Sequence, residues 1–197
     1  MREVELKCVV DAPDAVLAAL AAAGAERMYE GRLEDRRYDT PDRSLARRDH
    51  VLRLRIYRNA DGARALIDYK GPTEYDHGYK VREELSTEAV DADELARILG
   101  RLGYVVTREI DRQITQFHCA GAVVRIERYP RMDTLVEVEG APRAIEAAIA
   151  ATGLPRAGFS TERLPDFIMR FEARTGERAA VCDREMTGDY RYSAADA

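Results

Sequence analysis

The chain has 197 residues, of which 46% are hydrophobic, so it can bury the core of one large domain or of two small ones. Its 36 acidic and 31 basic residues give a net charge of −5, which argues against a surface built to hold nucleic acid and requires any basic site to be local. It has neither the roughly 18 apolar residues of a membrane span nor the apolar core of a signal peptide, so we expect a soluble, cytoplasmic protein.

The first predicted element is a strand over residues 3–10, where polar and apolar residues alternate. A helix follows it, because Asp11 and Pro13 are typical of a helix start and Gly24 is typical of a residue just past a helix end. Three further alternating segments predict strands, and turn-forming residues separate them. These strands cover residues 51–58, 64–70 and 80–86.

Asp91 is a helix-capping residue, and it predicts a second helix. Strands over residues 108–118, 122–128 and 135–139 come next, and Pro142 opens a third helix. A fourth helix within residues 160–176 is expected to break or restart at Pro165, because proline cannot donate its backbone nitrogen. This order of elements favours an antiparallel α+β domain with a barrel-like sheet.

The first predicted strand has an unusual polar face. Its odd positions are Glu3, Glu5 and Lys7, whereas its even positions are apolar. The same separation recurs on later strands, with Arg, Lys and Glu instead of the mixed polar residues of an ordinary solvent face. A closed sheet has an interior face as well as an exterior one. We therefore predict that helices cover the apolar face and that the charged face lines the interior of the barrel.

Charges inside a barrel require pairing or a ligand. The cationic residues suit an elongated polyanion, because guanidinium groups match phosphate oxygens. They are Lys7, Arg53, Arg55, Lys70, Lys80, Arg82 and Arg112. The carboxylates suit Mg²⁺ or Mn²⁺, which favour oxygen ligands and bridge to substrate phosphates. They are Glu3, Glu5, Glu84, Glu127, Glu137 and Glu139. Together the two sets predict a site for a metal-bound polyphosphate.

With these residues the sequence resembles the CYTH superfamily, whose members are also called triphosphate tunnel metalloenzymes. The superfamily includes class IV adenylyl cyclases, thiamine triphosphatases and inorganic triphosphatases. The resemblance covers roughly residues 1–175, and its pieces occur in the family's order. They are E-x-E-x-K at 3–7, "RRYDTPDRSLARRDHVLRLR" at 36–55, "YKGP" at 69–72, "VREEL" at 81–85 and "VEVEG" at 136–140. One departure is Ile110, because the family commonly has a lysine at this place, two residues before Arg112.

The resemblance implies an eight-stranded antiparallel β-barrel, the triphosphate tunnel, with helices packed outside. A CYTH domain would span residues 1–178, followed by a C-terminal tail over 179–197. The cationic residues named above would bind the substrate, the glutamates would hold Mg²⁺ or Mn²⁺, and the catalytic residues would be Glu3, Glu5 and Lys7. The expected partner is a small-molecule triphosphate, with no nucleic acid or membrane, and the protein is expected to be a monomer or a homodimer.

Three functions fit this site. The first is a metal-dependent triphosphatase that hydrolyses inorganic triphosphate or an organic triphosphate. The second is a class IV adenylyl cyclase that converts ATP to cyclic AMP and pyrophosphate; it needs a nucleobase site, for which Tyr38, Tyr57 and Phe117 are stacking candidates. The third is a noncatalytic module that binds polyphosphate or nucleotides, and the acidic strands count against it. The basic run over residues 42–50 is expected in a loop at the tunnel mouth.

Overall fold

The computed structural model describes residues 2–190, without the side chains of Arg2 and Glu3. The strands in this part of the chain are β1 (Arg2–Val9), β2 (Glu26–Asp39), β3 (Val51–Asn59), β4 (Gly62–Lys70), β5 (Glu74–Asp76), β6 (Tyr79–Ala89), β7 (Val105–Cys119), β8 (Ala122–Arg128) and β9 (Leu135–Glu139). The α-helices are α1 (Pro13–Ala22), α2 (Ala92–Arg101), α3 (Pro142–Thr152), α4 (Leu164–Thr175) and α5 (Asp183–Thr187). None of these helices is long and apolar enough to cross a membrane.

Eight of the strands form a closed antiparallel barrel. Their order is β1-β9-β8-β7-β2-β3-β4-β6, and β6 pairs back with β1, where Val4 lies opposite Val81. The short β5 adds a ninth strand beside β6. The prediction of an α+β fold, built as an eight-stranded antiparallel barrel with helices outside, is confirmed. Closure matters for the site, because it gives every strand an interior face.

The strand β2 was not predicted from the sequence, and neither were β5 and α5. β2 is 14 residues long and lies between β7 and β3, so it is a central strand of the barrel. Its outward residues include Glu34 and Arg36, and its inward residues include Asp35 and Arg37. Polar residues on both faces remove the alternation that marks a half-buried strand. The barrel nevertheless keeps this strand in place through backbone pairing on both of its edges.

Pro165 does not break the fourth helix. α4 begins at Leu164, so Pro165 lies in its first turn, where a backbone N–H has no partner within the helix. The backbone N–H of Arg163 donates to the carboxylate of Asp166 at 2.8 Å and so fixes the start of the helix. The expected break was wrong because only one helical residue, Leu164, precedes Pro165, so the proline interrupts no helical hydrogen bond.

The hydrophobic core lies outside the barrel, between the sheet and the helices. The outward residues Leu6, Val124 and Val138 pack against Leu20 of α1 and Ile145 of α3, and all five are at most 1% exposed. A second cluster packs α2 against the outer face of β3 and β4. The predicted separation of faces is confirmed for the strands that these helices cover, whose apolar faces point outward and whose inward faces carry charged residues. A smaller apolar cluster lies inside the barrel, where Leu33, Tyr57 and Ile114 are two residues from Asp35, Arg55 and Arg112, respectively, on the inward faces of β2, β3 and β7.

The segment after α4 returns to the barrel wall. Val181 accepts a hydrogen bond from the backbone N–H of Asp111 in β7 at 2.8 Å, and the hydroxyl of Tyr190 donates to the backbone carbonyl of Thr107 at 3.1 Å. Residues 179–190 thus pack against β7. The rest of the expected C-terminal tail, residues 191–197, lies outside the described residues.

Candidate active site

A cavity of about 710 Å³ extends into the barrel from one end. Its walls are formed by the inner faces of the strands, by the segment that joins β2 to β3 and by the first turn of α4. Among the side chains that the structure describes, thirteen Lys or Arg and nine Asp or Glu line it, which gives an excess of four positive charges. The whole chain has a net charge of −5. The cavity and its mouth therefore concentrate positive charge, while the rest of the molecule is acidic.

The cavity contains nearly all of the site residues expected from the sequence. The seven cationic candidates all line it: Lys7, Arg53, Arg55, Lys70, Lys80, Arg82 and Arg112. Five of the six glutamates line it as well: Glu5, Glu84, Glu127, Glu137 and Glu139. The side chain of Glu3 lies outside the described residues, although its backbone in β1 is opposite that of Arg82 in β6.

Other residues of the cavity were missed by the sequence reasoning. Arg125 lies two residues before Glu127 on the same face of a predicted strand, so strand alternation could have found it. Asp68, which lies beside the cavity and bonds Arg53, has the same relation to Lys70. Asp35 could not be found in this way, because its strand was not predicted. Alternation therefore identifies inward residues only where the opposite face is apolar.

Asp35 is the centre of a group of arginines deep in the barrel. Its carboxylate accepts hydrogen bonds from Arg55 at 2.8 and 3.1 Å and from Arg112 at 3.0 Å, and Arg53 lies 3.5 Å away. Burial disfavours its charge, but the three guanidinium groups outweigh burial and hold the pKa of Asp35 well below its usual range. Asp35 therefore stays ionised and fixes three phosphate-type donors in position.

Glu127 holds Arg112 from the other side. One of its oxygens accepts from Nε of Arg112 at 2.8 Å, and the other accepts from the hydroxyl of Tyr129 at 2.7 Å. Burial raises the pKa of Glu127, but Arg112, Arg125 and the other cations nearby outweigh it and lower the pKa to about 2. Arg112 is thus held between two permanent carboxylates.

The glutamates of β1 and β9 meet around a lysine. In the strand register Glu5 is opposite Glu139, and Lys7 is opposite Glu137. The ammonium of Lys7 donates to Glu5 at 3.0 Å and also to Glu137, and Lys80 contacts Glu5. Burial opposes both charges, yet the pairing lowers the pKa of Glu5 and raises that of Lys7 well beyond their usual values. Both groups are therefore charged at neutral pH.

The donor chemistry of this region fits a hard divalent cation. Two carboxylates directly opposite each other on neighbouring strands repel unless a cation lies between them, and Glu5 and Glu139 are such a pair. Oxygen ligands of this kind suit Mg²⁺ and Mn²⁺. Between residues 4 and 190, no three Asp, Glu, His or Cys side chains already converge as a metal site. Binding an ion at Glu5 and Glu137 would require the ammonium of Lys7 to move aside.

The basic segment expected at the tunnel mouth contributes Arg43, Arg47 and Arg48 to the cavity wall. Asp39 orders this segment, since its carboxylate accepts from two backbone N–H groups of residues 45 and 46, each at 2.9 Å. Asp49 connects the segment to the opposite wall: its backbone carbonyl accepts from Arg82 at 2.5 Å. The positive charges at the mouth are therefore held on an ordered support.

The lowered pKa values predict acid sensitivity. The carboxyls of Asp35 and Glu127 have folded pKa values below their unfolded ones, so their contribution to the free energy of unfolding is complete above about pH 4.5 and is lost as the pH falls towards 2. At about 1.4 kcal/mol per pKa unit, Glu127 alone accounts for roughly 3 kcal/mol of this loss. Urea unfolding at pH 7, 5, 4 and 3 measures it. A free energy of unfolding that is unchanged between pH 5 and pH 3 would contradict this electrostatic account.

Comparisons with known proteins identify the family. A family model described as the CYTH domain matches residues 1–147. No curated protein matches the sequence of the chain. Among solved structures, a candidate adenylate cyclase from Vibrio parahaemolyticus is 24% identical with a TM-score of 0.72, and the match covers 85% of this chain and 97% of that one. The PH1819 protein from Pyrococcus horikoshii is 23% identical with a TM-score of 0.70, and the match covers 85% and 98%.

A third structure of this kind comes from Hippeastrum, and it is described as a candidate adenylyl cyclase with a dominant triphosphatase activity. It is 15% identical with a TM-score of 0.60, and the match covers 91% of this chain and 98% of that one. At these identities the structural similarity establishes the fold alone. The family model, in contrast, matches about three quarters of the sequence, including β1 and β9 with their glutamates. The chain belongs to the CYTH family.

Proposed function

We propose that the protein is a divalent-metal-dependent triphosphatase, which hydrolyses inorganic triphosphate or an organic triphosphate bound inside the barrel. The observation that carries this proposal is the excess of four positive charges in an enclosed cavity that also contains a cluster of glutamates. A triphosphate carries a matching negative charge along an elongated chain, and hydrolysis of its anhydride bonds depends mainly on positioning and on charge neutralisation.

The cations of the cavity would hold the phosphate chain. Arg55 and Arg112 bond Asp35, and Arg53 bonds Asp68 and lies 3.5 Å from Asp35, so their remaining N–H groups are fixed before substrate binds. Such prearranged donors stabilise the charge that develops in the transition state without reorganisation at the moment of reaction. Lys70, Lys80 and Arg82 line the cavity on its other side and would contact further phosphate oxygens. Lys7 would neutralise charge on the leaving or transferred phosphate.

The glutamates would divide into two groups. Glu5, Glu137 and Glu139 would hold the metal, which the CYTH family requires in general. Bound there, a divalent ion supplies Lewis-acid polarisation of phosphoryl oxygens. Glu84 and Glu127 lie among guanidinium and ammonium groups, and these contacts favour a role in positioning the cations. Glu5 would also orient the attacking water, because its carboxylate lies in the cavity beside Lys7 and Lys80. The corresponding role of Glu3 stays a prediction.

Adenylyl cyclase activity has less support from the cavity. Two of the three aromatic residues expected to stack on a base are used in packing. Phe117 is buried in the core outside the barrel, and Tyr57 packs edge-on against Tyr29 with ring centres 5.1 Å apart. Tyr38 does line the cavity. The triphosphatase activity described for the Hippeastrum protein favours the same choice. The noncatalytic alternative does not explain why the glutamates of β1 and β9 face the cations.

Product analysis tests the proposal. Purified protein is incubated with inorganic triphosphate, thiamine triphosphate or ATP, each with Mg²⁺ or Mn²⁺, and the products are separated. We expect release of inorganic phosphate from at least one substrate and no reaction in the presence of a chelator. Cyclic AMP and pyrophosphate from ATP would establish the cyclase instead. Binding of all three compounds with no products would establish the noncatalytic module.

A further inference from the structure

One wall of the cavity is apolar. Ile110 lies on the same inward face of β7 as Arg112, two residues before it, and is only 3% exposed. Leu164 packs against the cluster that contains Ile110, and Pro165 lines the same cavity. We call Ile110, Leu164 and Pro165 the apolar wall. Along β7 the inward face thus changes from a cation to a hydrophobic side chain.

We propose that the apolar wall binds the organic substituent of a triphosphate ester, so that Ile110 and Leu164 select an organic triphosphate over inorganic triphosphate. This inference rests on the proposed function of the same cavity. Inorganic triphosphate ends in a charged phosphate on both sides. A terminal phosphate against these three side chains would lose water to surfaces that offer no hydrogen-bond donor, and the nearest cations, Arg112 and Arg163, already contact carboxylates. An organic ester places an uncharged group there and keeps its charges among the arginines.

The wall is held in place by the fold. Ile168 and Phe171 on the buried side of α4 belong to the same cluster as Ile110, and both are 8% exposed. The bond between the Arg163 N–H and Asp166 fixes the first turn, in which Leu164 and Pro165 lie. The wall therefore needs no rearrangement to accept a substituent, and a preformed surface loses less free energy on binding than a mobile one.

The size of the cavity agrees with this assignment. Sites for organic ligands usually have volumes of roughly 300–1,000 Å³ and combine apolar walls with a few placed polar groups. The cavity of about 710 Å³ is within this range, and it combines the apolar wall with charged groups from the barrel strands, from the mouth segment and from Arg163 and Asp166 beside α4. A phosphate chain in the barrel would leave this side for the substituent.

Steady-state kinetics and equilibrium binding of Leu164→Asn test the inference. For ATP and thiamine triphosphate we expect KM and the dissociation constant to rise about 5- to 10-fold, because a buried leucine contact of this kind is worth about 1 kcal/mol or more. For inorganic triphosphate both constants should stay within about 2-fold. Met169→Asn is the matched control, since Met169 is 58% exposed on the same helix. The control should leave all constants unchanged.

Ile110→Lys gives the opposite test, because it places a cation where a free terminal phosphate would need one. We expect it to bind inorganic triphosphate more tightly than the wild type and organic triphosphates more weakly. Equal effects on all substrates, or a wild-type preference for inorganic triphosphate, would overturn the inference. Binding is measured without turnover, so the wall can be judged even if none of the compounds is hydrolysed. In that case only the proposed function fails.

Discussion

Replacing Asp35 with Asn will lower the free energy of unfolding by about 3–5 kcal/mol, the cost of removing one partner from a buried group of charges. Asp35 is 1% exposed, and its carboxylate contacts Arg53, Arg55 and Arg112. Without it Arg55 loses the carboxylate that it bonds, and the charges of Arg53 and Arg112 are left to Asp68 and Glu127 alone, in a region that excludes much of the water. The neutral amide of Asn can accept a hydrogen bond, but it cannot compensate their charge.

Urea unfolding at pH 7 measures this effect. Asp14→Asn is the matched control, because Asp14 has a 94% exposed side chain and only a 3.4 Å pair with Arg128. Exposed pairs of this kind contribute at most about 1 kcal/mol. A loss below about 1 kcal/mol for Asp35→Asn would show that the arginines do not depend on Asp35. The variant should also lose the steep acid sensitivity between pH 5 and pH 3 in part, because one of the responsible carboxyls is gone.

Replacing Glu137 with Gln will reduce turnover of the preferred triphosphate at least about 100-fold, while binding stays within about 10-fold. Glu137 is bonded to Lys7 and Arg125 and belongs to the carboxylates proposed to hold the metal. Loss of groups that hold or orient a metal typically costs 10- to 100-fold or more in activity or affinity. Binding survives because the variant removes a negative charge from a cavity that already attracts the phosphate chain.

Phosphate release and calorimetric titration separate the two effects. Glu30→Gln serves as the control, since Glu30 lies at the surface in a pair with Arg27 and is remote from the cavity lining. Because the substitution alters buried ion pairs, unfolding curves are needed to check that the Glu137 variant is folded at the assay temperature. Activity within about 3-fold of the wild type would remove Glu137 from the metal site. Loss of binding together with activity would instead make Glu137 a residue that organises the cations.

The sequence was informative where one face of a strand is apolar. Val4, Leu6 and Cys8 identified the outward face of β1, so the inward positions of Glu5 and Lys7 followed from strand geometry alone. The first three helices, the closure of the sheet and the charged inward faces were predicted correctly by the same reasoning and by the family resemblance.

The sequence was uninformative where both faces of a strand are polar. β2 carries Glu34 and Arg36 outward and Asp35 inward, so no alternation marked it, and the anchor of the arginine group was missed. The outward side chains of Glu34 and Arg36 contact residues that are distant in the sequence; for example, Arg36 donates to Asp111 of β7 at 2.7 Å. Such contacts form only when the fold brings the segments together. Ile110 is a related case, because the sequence of β7 alone does not show that this inward residue packs with Leu164 of α4.

The central claim is that the charged interior of the barrel holds a triphosphate. A crystal structure of the Glu137→Gln variant, grown with a triphosphate at saturating concentration, tests it most directly. We predict that the phosphate chain lies inside the barrel within hydrogen-bond distance of Arg53, Arg112 and Arg82. A triphosphate bound only at the outer surface, with these arginines still facing nothing but their carboxylate partners, would contradict the claim.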